Sequence, residues 1–214
     1  MSTFAPTAED VLRRSPLGAA GGWIVAPLLG ERAVAALARD AARAHAAGAT
    51  EARLDKSPDD DHRRGNPARW LEWAAAGPAL RAFYSAPLLP TWLQRLTGLD
   101  WVRTGDLPSY SYYRRPGHFL GVHRDIDTCD LAIITCIADD GAAADAIAGT
   151  LSLWPGRSGD PIAAVRADPD DGRVTVRLRP GEAIVLLGGM IPHALEPLGP
   201  RHTRITSPLC FHLT

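Results

Sequence analysis

The sequence lacks features that would place it in several large classes of protein. No part of its 214 residues approaches the run of about 20 apolar residues that a membrane-spanning helix needs. Its charges nearly cancel, with 23 basic and 24 acidic residues, so no net field attracts nucleic acid or an anionic membrane surface. The sequence therefore predicts a protein that binds neither nucleic acid nor a membrane.

Cysteine and lysine are scarce as well. The three cysteines, Cys129, Cys136 and Cys210, have no spacing typical of a metal site or a disulfide framework. The first residues show no charged region followed by an apolar run, as an export signal would. We therefore expect reduced thiols and a cytoplasmic protein. Lys56 is the single lysine, and every other basic side chain is an arginine.

The first hundred residues carry mainly helical patterns. The chain length suits one domain with a buried core, residues 1–214. Residues 7–14 begin with capping-box-like spacing, and Glu31 to Ala47 places small apolar residues at helical spacing before Gly48. Residues 68–98 fit two or three short helices. We predict that residues 1–100 form helical support that packs on one sheet.

One polar stretch interrupts this helical region. Lys56 to Pro67, KSPDDDHRRGNP, has no periodicity and predicts an exposed loop. Two interpretations remain open for it, a solvated connection or a mobile lid that closes over a substrate. His62 within it is a substrate contact in the second interpretation and faces solvent in the first.

The remainder, residues 101–214, has the pattern of a β-rich core. Short apolar or alternating segments recur between turn residues, which is typical of a sandwich or a closed barrel. The predicted strands are 101–104, 108–114, 119–123, 130–138, 149–154, 161–167, 173–178, 182–187, 190–195 and 203–213.

The motif His123-Arg124-Asp125 lies at the end of one of these strands. Side chains alternate along a strand, so His123 and Asp125 would project from the same face, about 6.6 Å apart along the chain. A third ligand, His193, follows a buried segment and a Gly-Gly bend further along the chain. Two imidazoles and one carboxylate form the facial triad of non-heme Fe(II) oxygenases, which leaves open positions on the metal.

A second pair of polar residues follows on the last predicted strand. Arg204 and Thr206 are two residues apart, which places a guanidinium and a hydroxyl on the same face. A guanidinium presents a planar fork to the two oxygens of a carboxylate, and the hydroxyl adds one hydrogen bond. Arg201 is an alternative for the same role, and Arg204 is preferred because Thr206 shares its face and a strand follows.

The order of these motifs resembles the Fe(II)/2-oxoglutarate-dependent dioxygenases, most closely the prolyl-hydroxylase-like branch. The resemblance covers roughly residues 100–214 and rests on Tyr113, His123, Asp125, GTLSLWP (149–155), PHALEP (192–197) and RIT (204–206). It implies a mainly β fold with supporting helices, a double-stranded β-helix or jelly-roll, cupin-like barrel. It also implies Fe(II) as the metal and 2-oxoglutarate and O2 as cosubstrates.

The resemblance also implies roles for single residues. By motif position, the catalytic iron falls to His123, Asp125 and His193, and the far carboxylate of 2-oxoglutarate falls to Arg204 with Thr206. Tyr113 matches a tyrosine that lines the cosubstrate pocket in many members. The sequence departs from the family in Leu131 to Asp140, which lacks the tyrosine that this strand often contributes.

The activity implied is hydroxylation of an unactivated C–H bond with release of succinate and CO2. Halogenating members replace the ligand carboxylate with a small residue, and Asp125 retains it; desaturation and ring closure remain variants. We expect a small polar metabolite as substrate, such as an amino acid or a natural-product intermediate. The alternatives are a peptidyl or protein hydroxylase, a cupin-like binding or sensory module without catalysis, and a zinc hydrolase that uses the same three ligands.

Four residues are candidates for contact with the substrate. Arg114 and Arg115 could bind an anionic group, and Trp154 could wall the pocket. His118 and His202 fall on predicted turns, so we expect both near the surface, with His118 at the entrance. The sequence leaves the oligomeric state open.

Overall fold

The computed structural model describes residues 8–57, 66–141 and 147–214. Its helices are α1 (Ala8–Arg14), α2 (Pro16–Ala19), α3 (Glu31–Gly48), α4 (Pro78–Ser85), α5 (Leu88–Thr97) and α6 (Ile162–Ala167). Its strands are β1 (Trp23–Pro27), β2 (Thr50–Leu54), β3 (Arg69–Ala75), β4 (Trp101–Arg103), β5 (Ser109–Tyr113), β6 (Phe119–His123), β7 (Leu131–Asp140), β8 (Leu151–Leu153), β9 (Val174–Val176), β10 (Glu182–Leu186), β11 (His193–Leu195) and β12 (Thr203–Leu213).

Within these residues the strands form one strongly curled antiparallel sheet of twelve strands. Their order is β1-β10-β7-β12-β5-β3-β6-β11-β8-β9, while β2 pairs with β3 and β4 pairs with β12. Most neighbours in the sheet come from distant parts of the chain, as in the pairs β7–β12 and β6–β11. This is the double-stranded β-helix that the sequence predicts, and the fold class is confirmed.

The sheet encloses a core because its longest strands are apolar along most of their length. β7 and β12 pair from Asp140 opposite Thr203 to Leu131 opposite Phe211, with a register shift between Ile205 and Thr206. Most residues of β7 are buried, as expected for a strand covered on both faces.

Helix α3 packs on the outside of this sheet, as the sequence predicts. Its apolar stripe buries Leu37 and Ala41. The same face carries a buried carboxylate, Asp40, which accepts a hydrogen bond of 2.8 Å from the Tyr110 hydroxyl of β5. A second tyrosine of β5, Tyr112, donates to the Ala41 carbonyl at 2.8 Å. These bonds set the position of α3 on the sheet.

Two predicted elements are wrong. The segment expected to be wholly helical, residues 68–98, begins with β3, which pairs with both β5 and β6 and so connects the two halves of the sheet. With β1 and β2, the first hundred residues therefore supply strands as well as helical support. Residues 161–167, predicted as a strand, contain helix α6. Pro161 precedes the first residue of the helix, and Ile162 and Val165 are buried at helical spacing.

The expectation of reduced thiols is also wrong for two of the three cysteines. Cys129 and Cys210 form a disulfide across 81 residues of chain. The pairing of β7 with β12 places Ala132 opposite Cys210, and this long-range register brings the two sulfurs together. Cys136 stays free and buried, and burial raises the pKa of its thiol to about 11.

Two further expectations concern the polar loop and the membrane. Most of the polar loop Lys56 to Pro67, including His62, lies outside the described residues, so its role as a lid stays a prediction. In the parts of the chain that are described, no helix has the length and apolar character needed to cross a membrane.

Candidate active site

The three predicted metal ligands meet at one point of the structure. β6 and β11 are neighbours in the sheet, and His123 lies directly opposite His193 in their register. Asp125 follows the end of β6, with its Oδ1 3.8 Å from His123 Nε2 and 3.7 Å from His193 Nε2. One possible ligand atom from each residue lies within 4.8 Å of the others. The prediction that these residues converge is therefore supported by their geometry.

Backbone carbonyls hold both imidazoles in a form that suits a metal. His123 Nδ1 lies 2.8 Å from the carbonyl oxygen of Gly121, and His193 Nδ1 lies 3.0 Å from that of Ile191. A ring nitrogen that donates to a carbonyl carries the proton, which leaves Nε2 with its lone pair. Burial lowers the pKa of His123 well below its ordinary value, and the neighbouring His193 lowers it further. His123 is thus kept neutral, as metal ligation requires.

The carboxylate of Asp125 is positioned by a glycine. Asp125 donates its backbone N–H to the carbonyl of Gly188 at 2.9 Å. A Cβ added at residue 188 would overlap Asp125 Oδ2, so a larger residue would displace the carboxylate. Arg124 points away from the ligands, as predicted, and donates from Nε to the Met190 carbonyl at 2.8 Å.

A cavity opens beside these ligands and runs towards β12. The ligands His123, Asp125 and His193 line it together with polar and apolar side chains. The polar lining residues are Ser111, Tyr113 and Thr206, and the larger apolar ones include Leu120, Ile134, Leu151 and Leu195. The cavity therefore joins a metal-type cluster to a polar wall through an apolar interior.

Arg204 is a strand neighbour of two residues of that polar wall, Tyr113 and Thr206, although it does not line the cavity itself. It is opposite Tyr113 in the pairing of β12 with β5, and Thr206 is two residues further on the same strand. Arg204 is fully buried, at 0% exposure. Its Nη1 donates to Asp139 Oδ2 at 3.1 Å, while its Nε and Nη2 have no hydrogen-bond partner among the residues that the structure describes. A buried guanidinium with two such donors matches a carboxylate.

The electrostatics of the neighbouring side chains agree with this position. Burial raises the pKa of the Tyr113 hydroxyl, while the positive charge of Arg204 opposes that rise. Tyr113 therefore stays neutral and can donate a hydrogen bond to an anion. Arg201, the alternative anchor, is exposed and lies in a turn with a φ of 59°, outside the strand.

Two of the predicted substrate contacts, Arg114 and Arg115, have other partners. Arg114 Nη1 lies 3.0 Å from His45 Nε2. Arg115 donates to Glu51 at 3.0 Å and lies 3.4 Å from Glu72. Neither arginine is among the residues that line the cavity. The structure thus places both in a charged cluster near α3 and β3.

His118 and Trp154 also lie away from the cavity wall. His118 is buried, so the expectation of a surface position is wrong, and its Nδ1 accepts the backbone N–H of Arg114 at 3.2 Å. Trp154 is buried against Val165 and Ala194, and its Nε1 donates to the carbonyl of Pro169 at 2.9 Å. Packing explains the burial of both side chains, since the ring of His118 lies 4.7 Å from that of Trp70, centroid to centroid.

Sequence reasoning missed the partners of Arg204. His202, expected near the surface, is 2% exposed, and its Nε2 donates to Asp139 Oδ1. Arg177 donates to Asp139 Oδ2 at 3.2 Å. The one available signal was Asp139 itself, an acidic residue near the end of a predicted apolar strand, but its partners lie in other segments. Their convergence depends on strand order.

The fold is a double-stranded β-helix, and it is similar to solved structures of 2-oxoglutarate-dependent enzymes. A Pseudomonas putida prolyl-4-hydroxylase superposes with a TM-score of 0.61 at 20% identity, over 90% of this chain and 93% of its own. SnoK, a non-heme alpha-ketoglutarate-dependent carbocyclase from nogalamycin biosynthesis, gives 0.67 at 17% identity, over 98% and 87%. HygX from Streptomyces hygroscopicus, with nickel, 2-oxoglutarate and hygromycin B bound, gives 0.63 at 11% identity, over 90% and 83%. No family model and no curated protein matches the sequence.

Proposed function

We propose that this protein is an Fe(II)- and 2-oxoglutarate-dependent oxygenase. The observation that carries the proposal is the combination of a metal-type cluster with a buried guanidinium beside the same cavity. His123, Asp125 and His193 form a two-histidine, one-carboxylate cluster that lines the cavity. Opposite Tyr113, which also lines it, the buried guanidinium of Arg204 has two donors without a partner among the described residues. A ligand with a metal-chelating end and a carboxylate at the other end would satisfy both.

The residues present fit this cofactor and cosubstrate. His123, Asp125 and His193 would hold Fe(II) through two Nε2 atoms and a carboxylate oxygen, the donor types of the facial triad. Arg204 and Thr206 would hold the far carboxylate of 2-oxoglutarate, and Tyr113 would donate beside them. When bound, Fe(II) and 2-oxoglutarate supply the activation of O2 that oxidises a C–H bond, with release of succinate and CO2.

The protein contributes position and exclusion of water. The Nδ1–H···O=C bonds of the two histidines fix their rings, so the ligand set is organised before the metal binds. The apolar side chains Leu120, Leu151 and Leu195 line the cavity and keep water out of its interior. The buried receptor of Arg204 then orients the cosubstrate from its far end.

Hydroxylation is the reaction that this site supports best. Asp125 supplies a third protein ligand, whereas a halogenating site needs that coordination position for halide. Desaturation and ring closure use the same site and differ in the substrate that is presented to it. SnoK, similar to this chain in fold, is a carbocyclase, so the fold itself accommodates more than one outcome.

A small polar metabolite, such as an amino acid or a natural-product intermediate, is the proposed substrate. HygX, which has this fold, was crystallised with the small molecule hygromycin B, and SnoK belongs to nogalamycin biosynthesis. A peptidyl hydroxylase is the second candidate, favoured by the fold shared with a prolyl-4-hydroxylase. The narrow, enclosed surroundings of His193, which is 3% exposed, favour a small substrate over a broad peptide surface.

The two remaining alternatives leave Arg204 unexplained. A cupin-like binding module or a zinc hydrolase could use the same three ligands. Neither needs a buried cation beside the metal cavity, and burial of a cation with donors left over is costly. The carboxylate receptor therefore favours the oxygenase.

The test is succinate formation. The protein is loaded anaerobically with Fe(II), titrated with 2-oxoglutarate, and exposed to oxygen with a panel of amino acids, natural-product intermediates and proline-containing peptides. We expect 2-oxoglutarate to bind only the metal-loaded protein and succinate to form, with the greatest coupling to a small polar compound. Binding of iron without binding of 2-oxoglutarate would favour the cupin-like alternative, and preferential turnover of peptides would reverse the substrate assignment.

A further inference from the structure

We infer that Asp139, supported by His202 and Arg177, is the positioning residue for Arg204, and that it presents the Nε–Nη2 edge of the guanidinium to the cosubstrate. This inference rests on the proposed function, since it concerns how the carboxylate receptor is organised. It adds three residues that the sequence motifs do not include.

The position of Asp139 follows from the register of three adjacent strands. Arg204 of β12 lies opposite Asp139 of β7 on one side and opposite Tyr113 of β5 on the other. Directly opposed residues of an antiparallel pair project from the same face, so all three side chains share one face of the sheet. Asp139 therefore approaches Arg204 from the side away from Tyr113, which lines the cavity.

The contact leaves the matching edge of the guanidinium available. Asp139 Oδ2 accepts from Nη1 at 3.1 Å. The other two nitrogens, Nε and Nη2, share the opposite edge of the planar group and have no hydrogen-bond partner in the described part of the chain. An edge of two parallel N–H groups is the geometry that binds a carboxylate with both oxygens.

Asp139 is itself held in place by two other residues. His202 Nε2 donates to its Oδ1, and Arg177 Nε donates to its Oδ2 at 3.2 Å. The side chains of His202 and Asp139 are 1% and 7% exposed, which leaves little room for another rotamer. Arg177 is more accessible, at 31%. The carboxylate is thus oriented before any ligand arrives.

Two glycines make the space that His202 occupies. A Cβ at Gly149 would overlap the imidazole, and one at Gly141 would lie 2.9 Å from the Cα of His202. Both glycines have positive φ values, 69° and 149°, which side chains rarely adopt. The backbone on this side is shaped around the imidazole, and the imidazole supports Asp139.

The charges of the cluster leave room for one more anion. Arg204 and Arg177 bring two positive charges, and Asp139 brings one negative charge. An incoming carboxylate would complete the balance, which a fully buried guanidinium requires. If Asp139 merely competed with the ligand for Arg204, its removal would tighten binding; if it positions Arg204, its removal weakens binding.

The test compares Asp139→Asn with Asp140→Asn, which removes the same charge at the exposed neighbouring position. The measurement is calorimetric titration of 2-oxoglutarate into the anaerobic Fe(II)-loaded protein, with iron content determined separately. We expect Asp139→Asn to bind 2-oxoglutarate about tenfold more weakly, the loss expected for one misaligned charged hydrogen bond. Iron content should stay at the wild-type level in both variants, and Asp140→Asn should bind normally.

A kinetic measurement separates positioning from general destabilisation. In Asp139→Asn the KM for 2-oxoglutarate should rise while kcat at saturating 2-oxoglutarate changes little. A general destabilisation of the fold would not change KM alone. Unchanged or tighter binding by Asp139→Asn would overturn the inference.

A second variant covers the case in which Asp139→Asn does not fold. His202→Gln removes the support and leaves the carboxylate of Asp139 in place, so it should weaken 2-oxoglutarate binding by a smaller factor. Normal binding by His202→Gln would then overturn the inference. Failure of the wild-type protein to bind 2-oxoglutarate would instead refute the proposed function, and the two failures are thereby distinguished.

Discussion

The two ends of the proposed site are built from contacts of very different range along the chain. At the metal end, each histidine bonds to a carbonyl only two residues before it, Gly121 for His123 and Ile191 for His193. At the carboxylate end, Asp139 reaches Arg204 across 65 residues and Arg177 across 38. The first end uses local backbone, whereas the second uses side chains that only the sheet brings together.

This difference shows which parts of a site can be changed independently. A ligand held by its own strand keeps its orientation as long as that strand forms, because its second hydrogen bond is local. A guanidinium held by distant side chains depends on the register of several strands at once. The disulfide between Cys129 and Cys210 is a further long-range contact, since Cys129 follows the His-x-Asp motif and Cys210 lies on β12.

The largest expected effect is the loss of iron binding, which should follow changes at the metal end and not changes at the carboxylate end. Alanine at His123, Asp125 or His193 should abolish stoichiometric Fe(II) binding, because each change removes one of three protein ligands. Iron content after anaerobic loading and desalting measures this, with Arg204→Ala as the matched control that should keep its iron. Wild-type iron content in all three ligand variants would refute the metal assignment.

The complementary change acts at the carboxylate end. Arg204→Ala should weaken 2-oxoglutarate binding by about 2–5 kcal/mol, the usual cost of removing one partner of a buried charged pair. Titration of the anaerobic Fe(II)-loaded variant provides the measurement. Arg201→Ala, an exposed arginine in the adjacent turn, is the control. A defect in Arg201→Ala with normal binding by Arg204→Ala would move the anchor to Arg201.

Removal of the disulfide should lower the stability of the protein. Cys129→Ser combined with Cys210→Ser should lower the free energy of unfolding by about 2–4 kcal/mol, as expected for a disulfide that closes a long loop. Denaturant unfolding measures this difference. A reductant should lower the stability of the wild-type protein and leave the double variant unchanged. Equal stability of the wild-type protein with and without reductant would contradict this expectation.

The smallest expected effect is a weaker iron affinity, and it tests whether local backbone positions the ligands at the metal end. Gly188→Ala would place a Cβ against Asp125 Oδ2, so we expect iron binding about ten- to hundredfold weaker, similar to other changes that misorient a ligand. Competition with a chelator gives the affinity. Gly156→Ala, where a Cβ meets nothing within 4 Å, is the matched control and should bind iron normally. Equal affinities for the two variants would show that Gly188 does not position Asp125.

The elements that the sequence predicted share one property, a local pattern. Helix α3 follows from apolar residues at helical spacing, and its observed bounds extend the prediction by one residue. The failures share the opposite property. β3 is a strand because it pairs with both β5 and β6. This tertiary pairing outweighs the helical spacing of its tryptophans. His118 and His202 were assigned to the surface from their turns, yet tertiary packing buries both.

The sequence by itself determined the β-rich core, the His-x-Asp motif with its third histidine, and the spacing of Arg204 and Thr206, because alternation along a strand sets which side chains share a face. Only the tertiary structure decided that His123 lies opposite His193, that Cys129 meets Cys210, and that Asp139, His202 and Arg177 surround one guanidinium. The physical reason is strand order: β7, β12 and β5 are neighbours in the sheet but distant in the chain, and no local pattern encodes that adjacency.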